Sequence, residues 1–288
     1  MNPLTQAVIS GLMSGAVYAL LATGLVIVFH TAQIVNIAHG EAYAIGGIVA
    51  AVAAQAGAPL WLAFAAAIVV AIFFAVALER VLLRPRRDWS INALILVTLA
   101  VAFFSRGVLN LLVGSDPVSF PRLFAGAPLR FAGGVLPRQG LGLIVIGFTA
   151  AIAVTAFLLY TPLGRQLRAA AENPDAAELM GVDVDRARAL AFAIAGAYGA
   201  LGAVLLVPLV SVDFQAGLGM TLRGFIAAAI AGMSPPLAIV AGLGLGLAEA
   251  LVTTYLGALA QDPILFLALI GVALWQSRKV RFGGSLRA

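Results

Sequence analysis

Long apolar segments recur along the whole sequence and constrain its fold more than any other feature. A membrane-spanning helix needs roughly 20 mostly apolar residues. Only 10% of the 288 residues are charged, too few to cover a soluble protein of this size. We therefore predict an all-α polytopic transmembrane helix bundle of eight or nine hydrophobic segments, forming a single domain over residues 1–288. The segments are 5–29, 37–56, 60–83, 91–113, 140–160, 189–211, 217–233, 235–257 and 262–277.

Two of these segments, 37–56 and 217–233, are short and rich in small residues. Backbone that is not helical is tolerated at membrane depth only where protein or a cavity covers it. We expect one or both segments to be re-entrant or broken. In the segment 235–257, we expect Gly244, Gly246 and Ala248 to form a stripe of small residues for close helix packing.

The arginines indicate the orientation of the bundle, because basic residues near span ends favour the cytoplasmic side. They concentrate in a first loop near residues 84–90, in a second at 161–188, and in a tail from 278. We place these three regions in the cytoplasm and the stretch 115–138 outside; the side of the N-terminus stays open. The basic residues concerned are Arg80, Arg84, Arg86, Arg87, Arg165, Arg168, Arg186, Arg188, Arg278, Lys279, Arg281 and Arg287.

Several kinds of chemistry are excluded by composition and motif. The chain has no cysteine and two histidines, so we expect neither a metal site nor thiol chemistry. No GxSxG or HExxH motif occurs, and we expect no catalytic residue. The only lysine, Lys279, follows no glycine-rich loop, so the chain lacks a P-loop. We expect no cofactor in this chain; if transport uses ATP, partner subunits bind it.

Polar residues inside apolar segments mark functional or packing positions, because a charge in a bilayer is costly. The motif NIAHGE places Asn36, His39 and Glu41 together, and Glu249 lies in the middle of segment 235–257. Either these side chains cap and join helices, or they line a translocation path. An arginine, Arg223 or Arg106, is the expected partner of Glu249 in the first case. Asp213 completes the set, near the outer end of a span.

The segment 161–188 is the longest charged stretch and is rich in helix formers. Asn173 before Pro174 is a favourable helix start, and Gly181 a favourable helix end. We expect two short helices across the cytoplasmic face. They are either a plain solvated loop or a docking element for a cytoplasmic partner. In the second case Ala169 and Leu179 pack against the partner, and Arg168 and Glu172 make polar contacts.

Four blocks of the sequence resemble the branched-chain amino-acid ABC permease family. The first is NIAHGE at residues 36–41, and the second is LERVLLRPRRD, which begins at residue 78. The third is the segment 161–188, which resembles the coupling loop of the family. The fourth is the glycine-rich helix with Glu249. The coupling residues that the third block implies are Gly164, Arg165, Arg168, Ala169, Glu172, Leu179 and Gly181.

The resemblance implies a permease subunit of a binding-protein-dependent importer in the inner (plasma) membrane, with its C-terminus in the cytoplasm. Its expected partners are a second permease subunit, as a heterodimer, two ATP-binding cassette subunits, and an extracytoplasmic solute-binding protein. The expected substrate is a branched-chain amino acid or a related small polar solute, and no nucleic acid is expected to bind. The alternative is an ion-coupled secondary transporter or channel that uses acids within the membrane.

Overall fold

The computed structural model describes residues 2–283, with side chains as far as Val272 and also that of Leu274. Helices account for most of this part of the chain, and a two-stranded antiparallel hairpin interrupts them. The α-helices are α1 (Pro3–Ala32), α2 (Glu41–Gln55), α3 (Leu60–Ala77), α4 (Ile91–Val113), α5 (Arg138–Tyr160), α6 (Pro162–Glu172), α7 (Pro174–Leu179), α8 (Val184–Leu206), α9 (Ala216–Ile230), α10 (Pro235–Leu256) and α11 (Gln261–Gly283). The strands of the hairpin are β1 (Leu129–Phe131) and β2 (Gly134–Leu136).

Seven helices in the described part of the chain are long and apolar enough to cross a membrane, and two shorter apolar helices accompany them. The predicted polytopic helical bundle is therefore confirmed, with the small hairpin as an addition. The expected broken segment begins as a 3-10 turn at Ile37–Gly40 before α2. Helix α9 has 15 residues and is about 22 Å long, which is less than the roughly 30 Å thickness of the apolar core of a bilayer.

Helix α1 is the centre of the bundle, and its closest neighbour is α10. Small residues allow the two backbones to touch: a side chain on Gly15 would lie 2.9 Å from the Cα of Leu243, and one on Gly246 would collide with Gly15. The prediction that Gly244, Gly246 and Ala248 form one packing stripe is wrong, because only Gly246 faces the neighbouring helix. Gly244 and Ala248 are exposed, because residues two apart in a helix point to different faces. The buried small residues are Gly242 and Gly246, four apart.

The two faces of the bundle are identified by contacts between distant loops. The backbone N–H of Asn2 donates to the carbonyl of Gly133 at 2.9 Å, and Val118 pairs with Val212. The start of α1 therefore lies on the same face as the loop 115–138. On the opposite face Arg84 forms an ion pair with Asp185, which joins the first basic loop to the second.

The basic loops 84–90 and 161–188 thus share one face, as the arginine distribution predicts. The side chains of Arg278, Lys279 and Arg281 and the whole of Arg287 lie outside the described residues. The cytoplasmic position of this tail stays a prediction.

Candidate functional site

The turn between α1 and α2 is built from the NIAHGE motif and is buried in the bundle. Helix α1 ends where Gln33 adopts a left-handed conformation, with φ of 56°. The side chain of Asn36 then caps the 3-10 turn by accepting a hydrogen bond from the N–H of Ala38 at 3.0 Å. His39 is 3% exposed, and its Nε2 donates to the carbonyl of Leu21 at 2.9 Å. Both side chains therefore make their hydrogen bonds within the chain.

Helix α9 holds this turn from the other side. The hydroxyl of Thr221 accepts from the N–H of Gly40 at 2.8 Å and lies 3.0 Å from the carbonyl of Ile37. The helix approaches so closely that a side chain on Gly40 would collide with the carbonyl of Gly217. The segments 37–56 and 217–233, which we predicted to be re-entrant or broken, thus pack on each other. Each covers polar backbone groups of the other.

Glu41 begins α2 and is completely buried beside Arg106 of α4. One carboxylate oxygen, Oε1, accepts from both Nε and Nη2 of Arg106, at 3.0 and 2.7 Å. The other oxygen, Oε2, has no hydrogen-bond partner within the described residues. A carboxylate at this depth is stable only when paired, so the Arg106 contact fixes α4 to the centre of the bundle.

Glu249 of α10 lies in a second buried polar cluster. Its carboxylate accepts from the hydroxyl of Tyr18 and, at 2.9 Å, from Nε of Arg223. Nη2 of Arg223 also lies 3.3 Å from Asp262 at the start of α11. The predicted pairing of Glu249 with an arginine is therefore present, and it joins α1, α9, α10 and α11.

A third cluster lies at the face that carries the two basic loops. Glu79 is completely buried in a π-helical continuation of α3, Leu78–Leu83. Its carboxylate is 3.6 Å from Arg80 and 3.9 Å from Arg188 of α8, and it accepts no hydrogen bond from any described residue. Together with the pair of Arg84 and Asp185, this cluster connects α3 to the start of α8.

The segment 161–188 forms the two expected short helices, α6 and α7. The side chain of Asn173 accepts from the N–H of Ala176 at 3.1 Å and so starts α7. Gly181 ends it with φ of 83°, and the N–H of Val182 donates to the carbonyl of Ala177 at 2.9 Å. Leu167, Ala170 and Ala177 are buried against the ends of α1, α5 and α8. These contacts fix the two helices to the bundle.

The outer surface of α6 and α7 is largely exposed. Arg165 and Glu172 are exposed, and Leu179 is 90% exposed. Arg168 is exposed as well, and its guanidinium donates to the carbonyl of Leu159 at 3.3 Å. Of the other predicted coupling residues, Ala169 is half-buried, and Gly164 is buried where a side chain would collide with the end of α5.

Several residues of these clusters escaped the sequence analysis. Tyr18 and Thr221 are isolated polar residues in apolar segments, and nothing in their surroundings indicates a partner. Arg188 was interpreted only as a marker of orientation, although it lies near Glu79, more than 100 residues away in sequence. Asp213, by contrast, lies near the face of the loop 115–138 and joins none of the three clusters.

The fold and these clusters define the class of protein: a polytopic helical membrane protein with polar groups paired inside the bundle and a helical platform on one face. Within the described residues, no group of three or more His, Cys, Asp or Glu side chains is placed to hold a metal ion.

The family follows from comparison with known proteins. The model of the family described as branched-chain amino acid transport system, permease component, matches residues 7–275. The chain belongs to this family, as its four sequence blocks predicted. The high-affinity branched-chain amino acid transport system permease protein LivH of Salmonella typhimurium is 34% identical over 93% of this chain and 92% of its own length. The corresponding BraD of Pseudomonas aeruginosa is 32% identical over 94% and 93% of the two chains.

Proposed function

We propose that this chain is the membrane-spanning permease subunit of an ABC importer in the plasma membrane. It translocates a branched-chain amino acid or a related small polar solute, which an external binding protein delivers. The observation that carries this proposal is the family match over residues 7–275, together with relatives that are similar over nearly their whole length. Transport by this chain is powered by two separate ATPase subunits, which bind the ATP, and the chain itself holds no cofactor.

The segment 161–188 is the proposed docking site for the ATPase. Its inner surface is fixed to α1, α5 and α8, whereas its outer surface exposes Leu179 and Glu172. Leu179 and its neighbour Met180 are 90% and 84% exposed, and adjacent apolar side chains on a water-facing surface suit a packed contact with another protein. Through the packed residues of the inner surface, a nucleotide-driven movement of the ATPase would be passed to the helices of the bundle.

A cavity next to α6 leaves room for such a movement. It has a volume of about 220 Å³ and lies between α6 and the ends of α1, α5 and α10. Arg168 and Glu172 border it on one side, and Pro235 and Pro236 at the start of α10 border it on the other. A displacement of α6 into this cavity would therefore push against the start of α10. The same helix carries Glu249, whose ion pair with Arg223 lies inside the bundle.

The residues Asn36, His39, Glu41 and Glu249 are proposed to act beside the translocation path. Their hydrogen bonds and ion pairs within the chain support a holding role. Asn36, His39 and Glu41 keep the broken segment before α2 in place, and Glu249 joins α10 to α9. The second permease subunit, with which we propose a heterodimer, completes the path.

The alternative of an ion-coupled transporter is less well supported. It needs carboxylates that exchange protons or sodium ions, and both Glu41 and Glu249 are paired with arginines.

Changes of charge on the exposed surface of α6 and α7 test the docking site. We expect Glu172→Arg and Leu179→Asp to preserve membrane insertion but to reduce both ATPase co-purification and uptake. Asp116→Arg is the control for co-purification, because it reverses an exposed charge in the loop on the opposite face. If both variants retain the ATPase and transport as the parent does, the segment is a plain solvated loop.

A further inference from the structure

An apolar groove runs along the outside of the bundle between α3 and α4. Its volume is about 500 Å³, within the range of about 300–1,000 Å³ that is typical of sites for small organic ligands. The phenyl rings of Phe73 and Phe104 border it and are 72% and 73% exposed. Further along α4 the groove reaches Leu112. In a membrane this groove faces acyl chains, and it is too apolar to hold water.

The groove exists because α3 and α4 pack on the bundle by narrow stripes. Helix α3 buries Ala63, Ala67, Ala71 and Ala75, one residue per turn, and so directs its larger side chains outward. Helix α4 contacts the bundle through a stripe that includes Thr98 and Ala102. The outward sides of the two helices then diverge, and no other described element fills the space between them.

One end of the groove continues into a second, mostly apolar cavity that ends at an arginine. This cavity, of about 360 Å³, shares Leu82, Val101 and Phe104 with the groove and ends at Arg86 and Trp89. Measured from its start at Ile91, close to Trp89, α4 rises about 15 Å to Val101, roughly the depth of one leaflet, and about 20 Å to Phe104. The groove continues beyond this point to Leu112.

At this end the guanidinium of Arg86 is held by neutral groups, so that its positive charge is not neutralised by a carboxylate of the described residues. Its guanidinium lies 5.4 Å from the centre of the Trp89 ring and donates to the carbonyls of Val81 and Leu82, at 3.3 and 3.1 Å. Neither Arg86 nor Arg87 forms a salt bridge with any residue between 2 and 283 whose side chain is described.

The surroundings of Arg86 carry excess positive charge. Five arginines lie in this region with three carboxylates, and Arg84 already has Asp185 as its partner. A tryptophan beside arginines at the end of a membrane span is typical of the headgroup level. Basic pockets between membrane helices at this level bind anionic lipid headgroups. The groups concerned are Arg80, Arg84, Arg86, Arg87 and Arg188 on one side, and Glu79, Asp88 and Asp185 on the other.

We propose that this groove is a binding site for an anionic phospholipid. An acyl chain lies between Phe73 and Phe104, and the phosphate lies at Arg86 and Arg87, with Trp89 beside the glycerol region. A helix of a partner protein is the rival occupant. It would cover the apolar groove equally well, but it would need a carboxylate at the depth of Arg86 to satisfy the same charge. The lipid supplies both chemistries in one molecule.

Quenching of Trp89 by brominated lipids tests the proposal directly. The chain has three tryptophans, so the variant Trp61→Phe/Trp275→Phe leaves Trp89 as the single reporter. The purified protein is reconstituted into phosphatidylcholine bilayers that contain a small fraction of either phosphatidylglycerol or phosphatidylcholine with dibrominated acyl chains. We expect brominated phosphatidylglycerol to bind with an affinity roughly fivefold higher than that of brominated phosphatidylcholine, and therefore to quench more strongly at the same fraction. One basic group near the membrane surface contributes about 1 kcal/mol, and this energy corresponds to that factor. Added salt should reduce this preference.

Two further variants, with a third as a control, separate the contribution of the headgroup from that of the acyl chain. Arg86→Gln/Arg87→Gln should remove the preference for phosphatidylglycerol, whereas Arg130→Gln, an exposed arginine in the hairpin on the other face, should keep it. Ala100→Phe, which fills the second cavity, should reduce quenching by both lipids. Equal quenching by the two lipids in the reporter variant would overturn the proposal. Absence of quenching by either lipid would also overturn it, because a protein segment would then cover the groove.

Discussion

Loss of Arg106 should destabilise the bundle more than loss of any surface arginine, because it leaves Glu41 buried without a partner. The carboxylate of Glu41 is completely buried, and both of its hydrogen bonds come from Arg106, which is itself only 13% exposed. Breaking a buried ion pair from one side costs about 3–5 kcal/mol. We therefore expect Arg106→Met to lower the free energy of unfolding by an amount in this range.

A double-mutant cycle separates the pair from the packing of each side chain. Glu41→Leu/Arg106→Met replaces both charges by apolar groups, and such a replacement is often neutral or stabilising. With Glu41→Leu as the second single variant, we expect the double variant to recover most of the lost stability, so that its loss is much smaller than the sum of the two single losses. The assay is unfolding of the purified protein in mixed micelles by titration with sodium dodecyl sulfate, followed by tryptophan fluorescence.

The matched control is Arg186→Met, because Arg186 is paired with Asp183 at 2.8 Å but is 83% exposed. An exposed pair contributes about 0–1 kcal/mol, so this variant should unfold almost as the parent does. Equal losses for Arg106→Met and Arg186→Met would refute the reasoning. A double variant no more stable than Arg106→Met alone would do the same.

Three further predictions concern packing, topology and the turn after α7. Gly246→Leu should separate α1 from α10 and lower the thermal midpoint of the purified protein, whereas Gly244→Leu should leave it nearly unchanged, since nothing lies within 4 Å of a side chain there. In intact spheroplasts an impermeant thiol reagent should label Ser119→Cys and spare Leu179→Cys, and the reverse pattern would invert the proposed orientation. Gly181→Val should cost roughly 1 kcal/mol or more of stability, because φ is 83° at this position, and an unchanged thermal midpoint would argue against a strained turn.

The sequence was sufficient for the helices because apolar length is a local property. The predicted segment 91–113 coincides with α4, and 235–257 ends one residue beyond α10. The segment predicted at 189–211 is shifted toward the C-terminus relative to α8, Val184–Leu206. The first turn of α8 is charged, so the apolar pattern did not indicate where the helix starts. Asp183 caps this start by accepting from the N–H of Arg186 at 2.9 Å.

The site was less predictable because its partners come from distant segments. The pairing of Glu249 with an arginine was expected, with Arg223 and Arg106 as the two candidates, since few charges lie within the membrane and each must find an opposite one. The choice of Arg106 for Glu41 depends on how α4 packs, which no local pattern encodes. The exposed position of Gly244 follows from the face that α10 presents to α1, and only the packed bundle determines this face.

The central claim, that this chain translocates its solute only as part of an ATP-driven assembly, is tested by reconstituted uptake. The chain is incorporated into proteoliposomes alone, and in parallel with the proposed partners: a second permease subunit, an ATPase pair and a binding protein. Uptake of a radiolabelled branched-chain amino acid is then followed with and without ATP. We predict uptake only in the complete assembly and only with ATP, and no ATP hydrolysis by the chain alone. Robust uptake by the chain alone, driven by an ion gradient, would contradict the account.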